Sequence, residues 1–313
     1  MSDIVVSIII CTRNRADSLR ETLESIGRCE VPADLPAELL VVDNGSTDHT
    51  KNVVEQTNLT NMRLRYIHEP RKGLSVARNL GMANAEGDVF LWTDDDVRLP
   101  ANWIDGMCRQ IISRKVDAMQ GEIAIAAPLL RPWMTQQHRA SLTVIGDLSE
   151  QHAREPFLIG ANMAFARAVL SKVPSFEVAL GAGASGFMED TLFYLQLQAA
   201  GYKFGFARGV SVEHHFDPSR LTRKAQLHSA LAHGRSAAWV MHHWSHGSVR
   251  WRRVRMLLNA VRLAYGAVDW RLGAKVGFNP TEVDYAVRYY TYCELGRLAG
   301  SPRHYEYCGL QAR

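Results

Sequence analysis

The stretch DVFLWTDDDVRLP, Asp88 to Pro100, decides the reading of the fold. Val89, Phe90, Leu91 and Trp92 make an unbroken apolar run, the texture of a strand covered on both faces. The run leads directly into Asp94, Asp95 and Asp96. Three adjacent like charges are costly to pack unless a cation or hydrogen-bond donors compensate them. In open α/β sheets, ligands bind beyond the carboxyl ends of strands. Hard oxygen ligands there suit Mg2+ or Mn2+ carrying a diphosphate. Taken alone, the triplet reads more simply as a solvated acidic loop or a cap for a helix after Pro100.

The neighbouring segments give the triplet its setting. IVVSIII and ELLVVD read as strands, MRLRYIHE as a third, and helical spacing separates them in RADSLRETLESIGRC, TDHTKNVVEQ and LSVARNLGMANA. Strands alternating with helices predict an α/β fold with a mostly parallel, doubly wound sheet. Beyond residue 97 the texture is less regular. PANWIDGMCRQIISR predicts a helix with Pro100 in its first turn, and VDAMQGEIAIAA an extended segment. Residues 128–155, with Arg131, Trp133 and His138, show no clear period. EDTLFYLQLQAAGY predicts a helix closed by Gly201, and KFGFARGVSVEHH a pair of short strands turning near Gly209. From Leu221 to about Leu298 the chain reads as two or three long helices.

Bulk properties narrow the classes. The 313 residues are 47% hydrophobic and 22% charged, ordinary for a globular protein, and the net charge of +4 gives no case for nucleic acid. Cys11, Cys29, Cys108, Cys293 and Cys308 are odd in number and lack a CxxC spacing, which fits a reducing, cytoplasmic setting better than a disulfide framework. The apolar run near the N-terminus is too short to span a membrane.

Other strand ends supply chemistry at the same sheet edge. The first ends in Thr12, Arg13 and Asn14, and the second in Asp43 and Asn44. A uracil ring needs an acceptor for its N3–H and donors for its carbonyls; Asp43 could accept, and Arg78 of GLSVARNLG could donate. DNGSTD is equally good turn and capping chemistry, and Arg78 could simply pair with a neighbour.

In order, VSIIICTRNR, LLVVDNGSTD, KGLSVARNLGMANAEGDVFLWTDDD and GFMEDTLFYLQLQAAGYKFGFARGVSVEHH resemble the family 2 glycosyltransferases of GT-A fold. The resemblance spans about residues 4–216. It implies a catalytic region over 1–216, with a nucleotide-binding half at 1–96 and an acceptor-binding half at 97–216. A helical region, 217–313, lies outside it. It also implies a nucleotide-sugar donor, a divalent cation and inversion at the anomeric carbon. Thr12, Arg13, Asp43 and Arg78 would hold the nucleobase region, with Asn44 beside them. Asp94 would contact the ribose or the metal's water shell, Asp95 fills the variable middle of the DxD motif, and Asp96 would bind the metal. His214 matches the strand-end histidine of the family, with His215 the neighbour left open. An imidazole ligand moves the preference from Mg2+ toward Mn2+.

Transfer needs the acceptor hydroxyl deprotonated as it attacks. In the resembling family an acid of the ED block is the base. This assigns Asp190 as base, with Glu189 orienting or binding the acceptor; both would also favour a helix N-terminus electrostatically. Gly181, Gly183 and Gly186 fit either a mobile acceptor-side loop or a plain connector, and Asn162 either the site or a structural turn. RWRRVRMLLNAVRLAYGAVDWRLGAK could lie on an anionic membrane, or serve as an internal helix or a homodimer contact. The QxxRW block of processive members is absent, which favours single-sugar transfer. UDP is the expected nucleotide. The acceptor class stays open among glycans, lipid-linked sugars and small molecules. The competing readings are a metal-dependent nucleotidyltransferase, whose glycine-rich basic loop is missing after the first strand, and a noncatalytic nucleotide-binding module.

Overall fold

The computed structural model describes residues 5–142, 157–272 and 276–305. Within the first hundred residues the elements alternate as β1 (Val6–Thr12), α1 (Ala16–Gly27), β2 (Ala37–Asp43), α2 (Thr50–Gln56), β3 (Arg63–His68), α3 (Leu74–Asn84) and β4 (Val89–Asp94). These four strands are all parallel, in spatial order β3-β2-β1-β4. β1 and β4 therefore flank the point where the strand order reverses, the place where such sheets open a crevice beyond their carboxyl ends.

The apolar runs explain why these strands lie centrally. Val6, Ile8 and Ile10 face one layer with Leu19, Leu23 and Ile26 of α1. Ile9 faces the opposite layer with Ala77 of α3, Phe90 and Trp92. Residues of both parities are fully buried, so each strand needs apolar side chains at every position. Each such Ile, Leu or Phe contributes about 1.5–3 kcal/mol by leaving water.

Past β4 the sheet changes direction. β5 (Val97–Arg98), α4 (Trp103–Ile112), β6 (Ala118–Ile125), α5 (Gln136–Ala140), β7 (Asn162–Ala166), α6 (Glu189–Ala199) and β8 (Phe204–His214) follow. They extend the sheet as β4-β7-β6-β8-β5, with β7 antiparallel to both β4 and β6, and β8 parallel to β6. The mostly parallel sheet is thus realised in full only in its first half.

KFGFARGVSVEHH forms one strand, not the expected pair. Its two halves run along β6 in the same direction, with Ala207 opposite Gly121 and Ser211 opposite Glu122. Arg208, Gly209 and Val210 bulge out between them, and Gly209 takes the positive φ of 75° that the bulge requires. The α4 helix starts at Trp103, later than the sequence predicts, because residues 100–103 first form a turn in which Trp103 N–H donates to the Pro100 carbonyl at 3.1 Å. Residues 143–156 of the irregular segment lie outside the described residues.

Three helices follow: α7 (Arg223–His243), α8 (Arg252–Leu272) and α9 (Pro280–Leu298). None of the described helices is long and apolar enough to cross a membrane. The four described cysteines, Cys11, Cys29, Cys108 and Cys293, are free; Cys308 lies outside the described residues.

Candidate active site

Parallel register lines up the first functional residues. Thr12 stands opposite Asp43, and Cys11 opposite Asp94, so the ends of β1, β2 and β4 share one edge. A cleft of about 360 Å³ opens there, lined among others by Thr12, Arg13, Asn44, Asp94 and Asp95. Lys72 and Arg15 also line it, and neither was singled out from sequence.

The acidic triplet divides into distinct environments. Asp95 is buried and faces β1 and α1: Thr12 Oγ1 donates to its Oδ2 at 2.7 Å, and Arg15 Nη1 lies 2.8 Å from its Oδ1. Its backbone carbonyl accepts from Ser18 and Thr22, so this residue ties the turn to α1. Burial pushes its carboxyl up to about 7 against the opposing pull of Arg15 and Thr12. Burial and the charge of Asp96 likewise raise Asp94, which also feels Arg78, His214 and Asp190. Asp96 goes the other way. Burial would raise it, but His214 and Arg15 outweigh that cost and hold it well below the usual carboxylate range.

His214 reaches Asp96 through the β5–β8 ladder, where Val97 stands opposite His214. Its Nε2 lies 3.3 Å from Asp96 Oδ1, and that buried oxygen has no hydrogen-bond partner. Asp96 Oδ2 is taken by Arg15 at 2.7 Å. His215 turns away toward Glu213, 3.4 Å distant. Among the described residues no three His, Cys, Asp or Glu side chains converge as a complete metal cage. Two protein donors are nonetheless what a cation sharing its shell with phosphate oxygens and water needs. Two neighbouring ligands of an octahedral ion stand about 3 Å apart, so the free Asp96 oxygen and the His214 nitrogen fit one.

The nucleobase candidates are held in place by backbone. Asp43 accepts from Ser46 N–H at 2.8 Å and from the Tyr66 hydroxyl at 2.7 Å. Asn44 donates to the carbonyls of Glu69 and Arg71 and accepts from Gly73 N–H. Arg13 donates to the Asn44 carbonyl at 3.0 Å. The turn-and-capping reading of DNGSTD is therefore realised; Arg13 and Asn44 line the cleft, while Asp43 is buried just behind Asn44.

Arg78 sits elsewhere. No ion pair joins it to Asp43; it is buried and donates to Glu189 Oε1 at 2.8 Å. Its guanidinium lies 5.2 Å from the Phe176 ring centre and 6.0 Å from that of Trp92. A side chain on Gly160 would fall 1.9 Å from its Nη2, so the guanidinium would have to move to admit one. Gly160 N–H donates in turn to Asp190 Oδ2 at 3.2 Å. Burial and the Asp190 charge push Glu189 up to about 7 against the pull of Arg78. Asp190 itself is half-buried at the first turn of α6.

The glycine-rich segment before α6 is fastened down. Leu74 N–H donates to the Ala182 carbonyl at 2.8 Å, and Ser75 Oγ to that of Leu180 at 2.9 Å. Gly183 has φ +91°, and a Cβ there would meet Gly73 Cα at 3.1 Å. Asn162 is structural: it accepts from Trp103 Nε1 and donates to the Glu122 and Val210 carbonyls, joining α4, β6 and β8. His233 of α7, missed in the sequence, stacks on Phe187 with ring centres 3.8 Å apart and feels the charge of Asp190.

A parallel half, β3-β2-β1-β4, joined to a half in which the strand direction reverses is the architecture of the GT-A glycosyltransferases. The chain belongs to glycosyl transferase family 2: that family's model matches residues 7–173, just over half its length. It is 25% identical over 249 residues to the succinoglycan biosynthesis protein ExoM of Rhizobium meliloti, covering 75% of this chain and 78% of ExoM. It is 30% identical over 125 residues to the glycosyltransferase AglE of Haloferax volcanii, covering 39% of this chain and 40% of AglE. Among solved structures, the mannosyltransferase PcManGT from Pyrobaculum calidifontis, in complex with GDP-Man and Mn2+, superposes with a TM-score of 0.55 at 18% identity, covering 95% of this chain and 75% of that one. S. aureus TarS 1–349 in complex with UDP gives a TM-score of 0.52 at 13% identity, covering 96% and 93%. At these identities the structural likeness is one of fold.

Proposed function

We propose that this family 2 glycosyltransferase moves one hexosyl unit, with inversion, from a nucleotide diphosphate sugar to an acceptor hydroxyl in a metal-dependent reaction. Residues 1–216 form the catalytic region, with donor groups from 1–96 and acceptor groups from 97–216; residues 217–313 extend it. The carrying observation is a buried Asp96 oxygen that makes no well-formed hydrogen bond and faces His214 Nε2 at 3.3 Å, beside the donor cleft.

Thr12, Arg13, Asp43, Asn44, Asp94 and Asp95 border the nucleotide, while Lys72 and Arg15 add positive charge where the diphosphate would lie. Asp96 and His214 would hold Mn2+ or Mg2+, which when bound supplies positive charge at the leaving diphosphate. The His ligand favours Mn2+. Arg78 serves the site from below, holding Glu189 and balancing the charges of Asp190 and Asp94.

Asp190 acts as base. The acceptor oxygen bonds to the anomeric carbon from the face opposite the leaving group while the bond from that carbon to the diphosphate oxygen breaks. The hydroxyl proton passes to Asp190, and the electron pair departs with the nucleoside diphosphate. Glu189 orients the site through Arg78, and the Phe187–His233 stack offers an aromatic shelf for the acceptor next to Asp190.

UDP is the proposed nucleotide, since Asp43 keeps acceptor capacity for a uracil N3–H beyond its two present hydrogen bonds. The complexes of PcManGT with GDP-Man and of TarS with UDP set the panel to test. Melting temperature is measured with UDP-, GDP- and dTDP-sugars, with and without Mn2+. A UDP-sugar should raise it most, and only in the presence of metal. Asp96→Asn and His214→Ala should each lose the Mn2+-dependent shift, read against the variant's own unliganded melting temperature, which Asp96→Asn lowers by removing the pairing with Arg15. A wild-type protein stabilised equally with and without metal contradicts the metal reading, and a larger shift with a GDP-sugar contradicts the choice of base.

A further inference from the structure

Among the described residues, most large apolar side chains left exposed belong to one helix and its entry. Trp251, Val254, Leu257, Leu258, Val261, Tyr265 and Val268 are each between 49% and 76% exposed. Their spacing of three and four places them on one side of α8 and its entry, a stripe of about 26 Å at 1.5 Å per residue. The opposite side is already used. Arg252 donates to the Tyr292 carbonyl at 2.7 Å, Asn259 is buried, and the Arg223 guanidinium lies over Trp270 at 5.1 Å. The fold thus occupies the inner face of α8 and leaves the apolar outer face to water, which isolated globular surfaces rarely do over such a length.

Charge selects the occupant. Residues 250–268 contain Arg250, Arg252, Arg253, Arg255 and Arg262 and no carboxylate. At 100° per residue, Arg253 falls on one margin of the stripe and Arg255 and Arg262 on the other. All three are exposed, and among the described residues none is ion-paired with an acid. Two copies of this helix packed stripe to stripe would bring arginine rows together, with Asp269 the one carboxylate that each α8 carries. An anionic lipid surface meets both features, taking the apolar stripe among its acyl chains and the arginines among its headgroups.

We propose that α8 seats this glycosyltransferase on an anionic membrane, lying in the interface and not crossing it. The assignment is independent of the metal and of the base. The test is co-sedimentation of the full chain with phosphatidylcholine vesicles with and without phosphatidylglycerol. Wild-type protein should pellet with the anionic vesicles and not with phosphatidylcholine alone. Arg253→Gln with Arg255→Gln should weaken binding roughly thirtyfold, and added salt should do likewise. Leu257→Asn with Val261→Asn should weaken it by roughly tenfold or more. These residues lie on the outer face, so both pairs should keep the wild-type melting temperature and the wild-type rate of donor hydrolysis. No binding to anionic vesicles overturns the proposal. So does binding indifferent to the apolar pair, or a dimer by light scattering that the apolar pair dissolves while vesicles stay unbound.

Discussion

Arg78 and Glu189 form an ion pair 2.8 Å long with both side chains almost wholly buried. One comes from α3 in the parallel half and the other from the start of α6, so the pair ties the two halves of the sheet's surroundings together. Breaking one member of a buried pair strands the other charge, at a cost of about 3–5 kcal/mol. Arg78→Met should therefore lower unfolding free energy by about that amount in denaturant titration. Arg78→Lys should recover little, because an ammonium cannot keep both the Glu189 contact and the flat packing on Phe176. Unchanged stability in Arg78→Met would show that Glu189 is neutral there or reaches another donor.

Asp190→Asn should separate chemistry from binding. The amide oxygen can still accept from Gly160 N–H, so the backbone bond survives. Loss of a positioned base costs about 10²–10⁴ in rate. Turnover should fall by that factor while nucleotide-induced melting shifts stay at the wild-type level. Glu189→Gln should instead alter stability along with rate, since its partner is the buried Arg78. Equal turnover in Asp190→Asn and wild type removes the base assignment.

Two carboxylates predict opposite pH dependences of stability. Glu38 is fully buried and holds Arg63 at 2.8 Å and Arg65 at 2.9 Å; burial would raise it, but those arginines, Ser7 and the Glu86 N–H together lower it. A lowered acid binds fewer protons folded than unfolded, so its contribution is complete above its ordinary 4.5 and fades as pH falls. Glu189, raised to about 7, binds more protons when folded between 4.5 and 7, so its contribution fades as pH rises through that window. Denaturation midpoints followed from acid to neutral pH should lose the acid limb in Glu38→Gln and the neutral limb in Glu189→Gln. Glu38→Gln should also cost roughly 2–3 kcal/mol at neutral pH, tempered because Arg63 and Arg65 can reach water.

The parallel half was legible because β1, β2 and β4 are buried on both faces and must be apolar throughout. The acidic triplet was legible as charge at a strand end, but a solvated loop explained it as simply; the burial of Asp95 and Asp96 is what the folded chain adds. Contacts set by distant parts of the chain were less so. Arg15 left one faint signal: a cation at the N-terminal end of a helix opposes the helix dipole and calls for acids nearby. Arg78 was expected at the nucleobase, but only the folded chain shows that α6 carries Glu189 against it. Gly209 suggested a turn because glycine marks turns and bulges alike; pairing of both flanks with β6 decides between them. His233 lies beyond the residues that resemble the family, and no local pattern links it to Asp190.

That last residue yields a test of acceptor binding. His233 is exposed and stacks on half-buried Phe187 at 3.8 Å, within the electrostatic reach of Asp190. Sugars present flat apolar faces that lie well on such rings, and an aromatic contact of this kind contributes about 0.5–1.5 kcal/mol. His233→Ala should raise the acceptor KM by roughly two- to tenfold. Hydrolysis of the donor by water should be unaffected, because none of the proposed donor groups stands on α7. His233→Phe preserves the stack and removes the ring nitrogens, so it should restore the acceptor KM if stacking is the contribution. If His233→Phe is as impaired as His233→Ala, a hydrogen bond from the imidazole is what the acceptor uses. If neither variant changes the acceptor KM, the shelf has no part in acceptor binding.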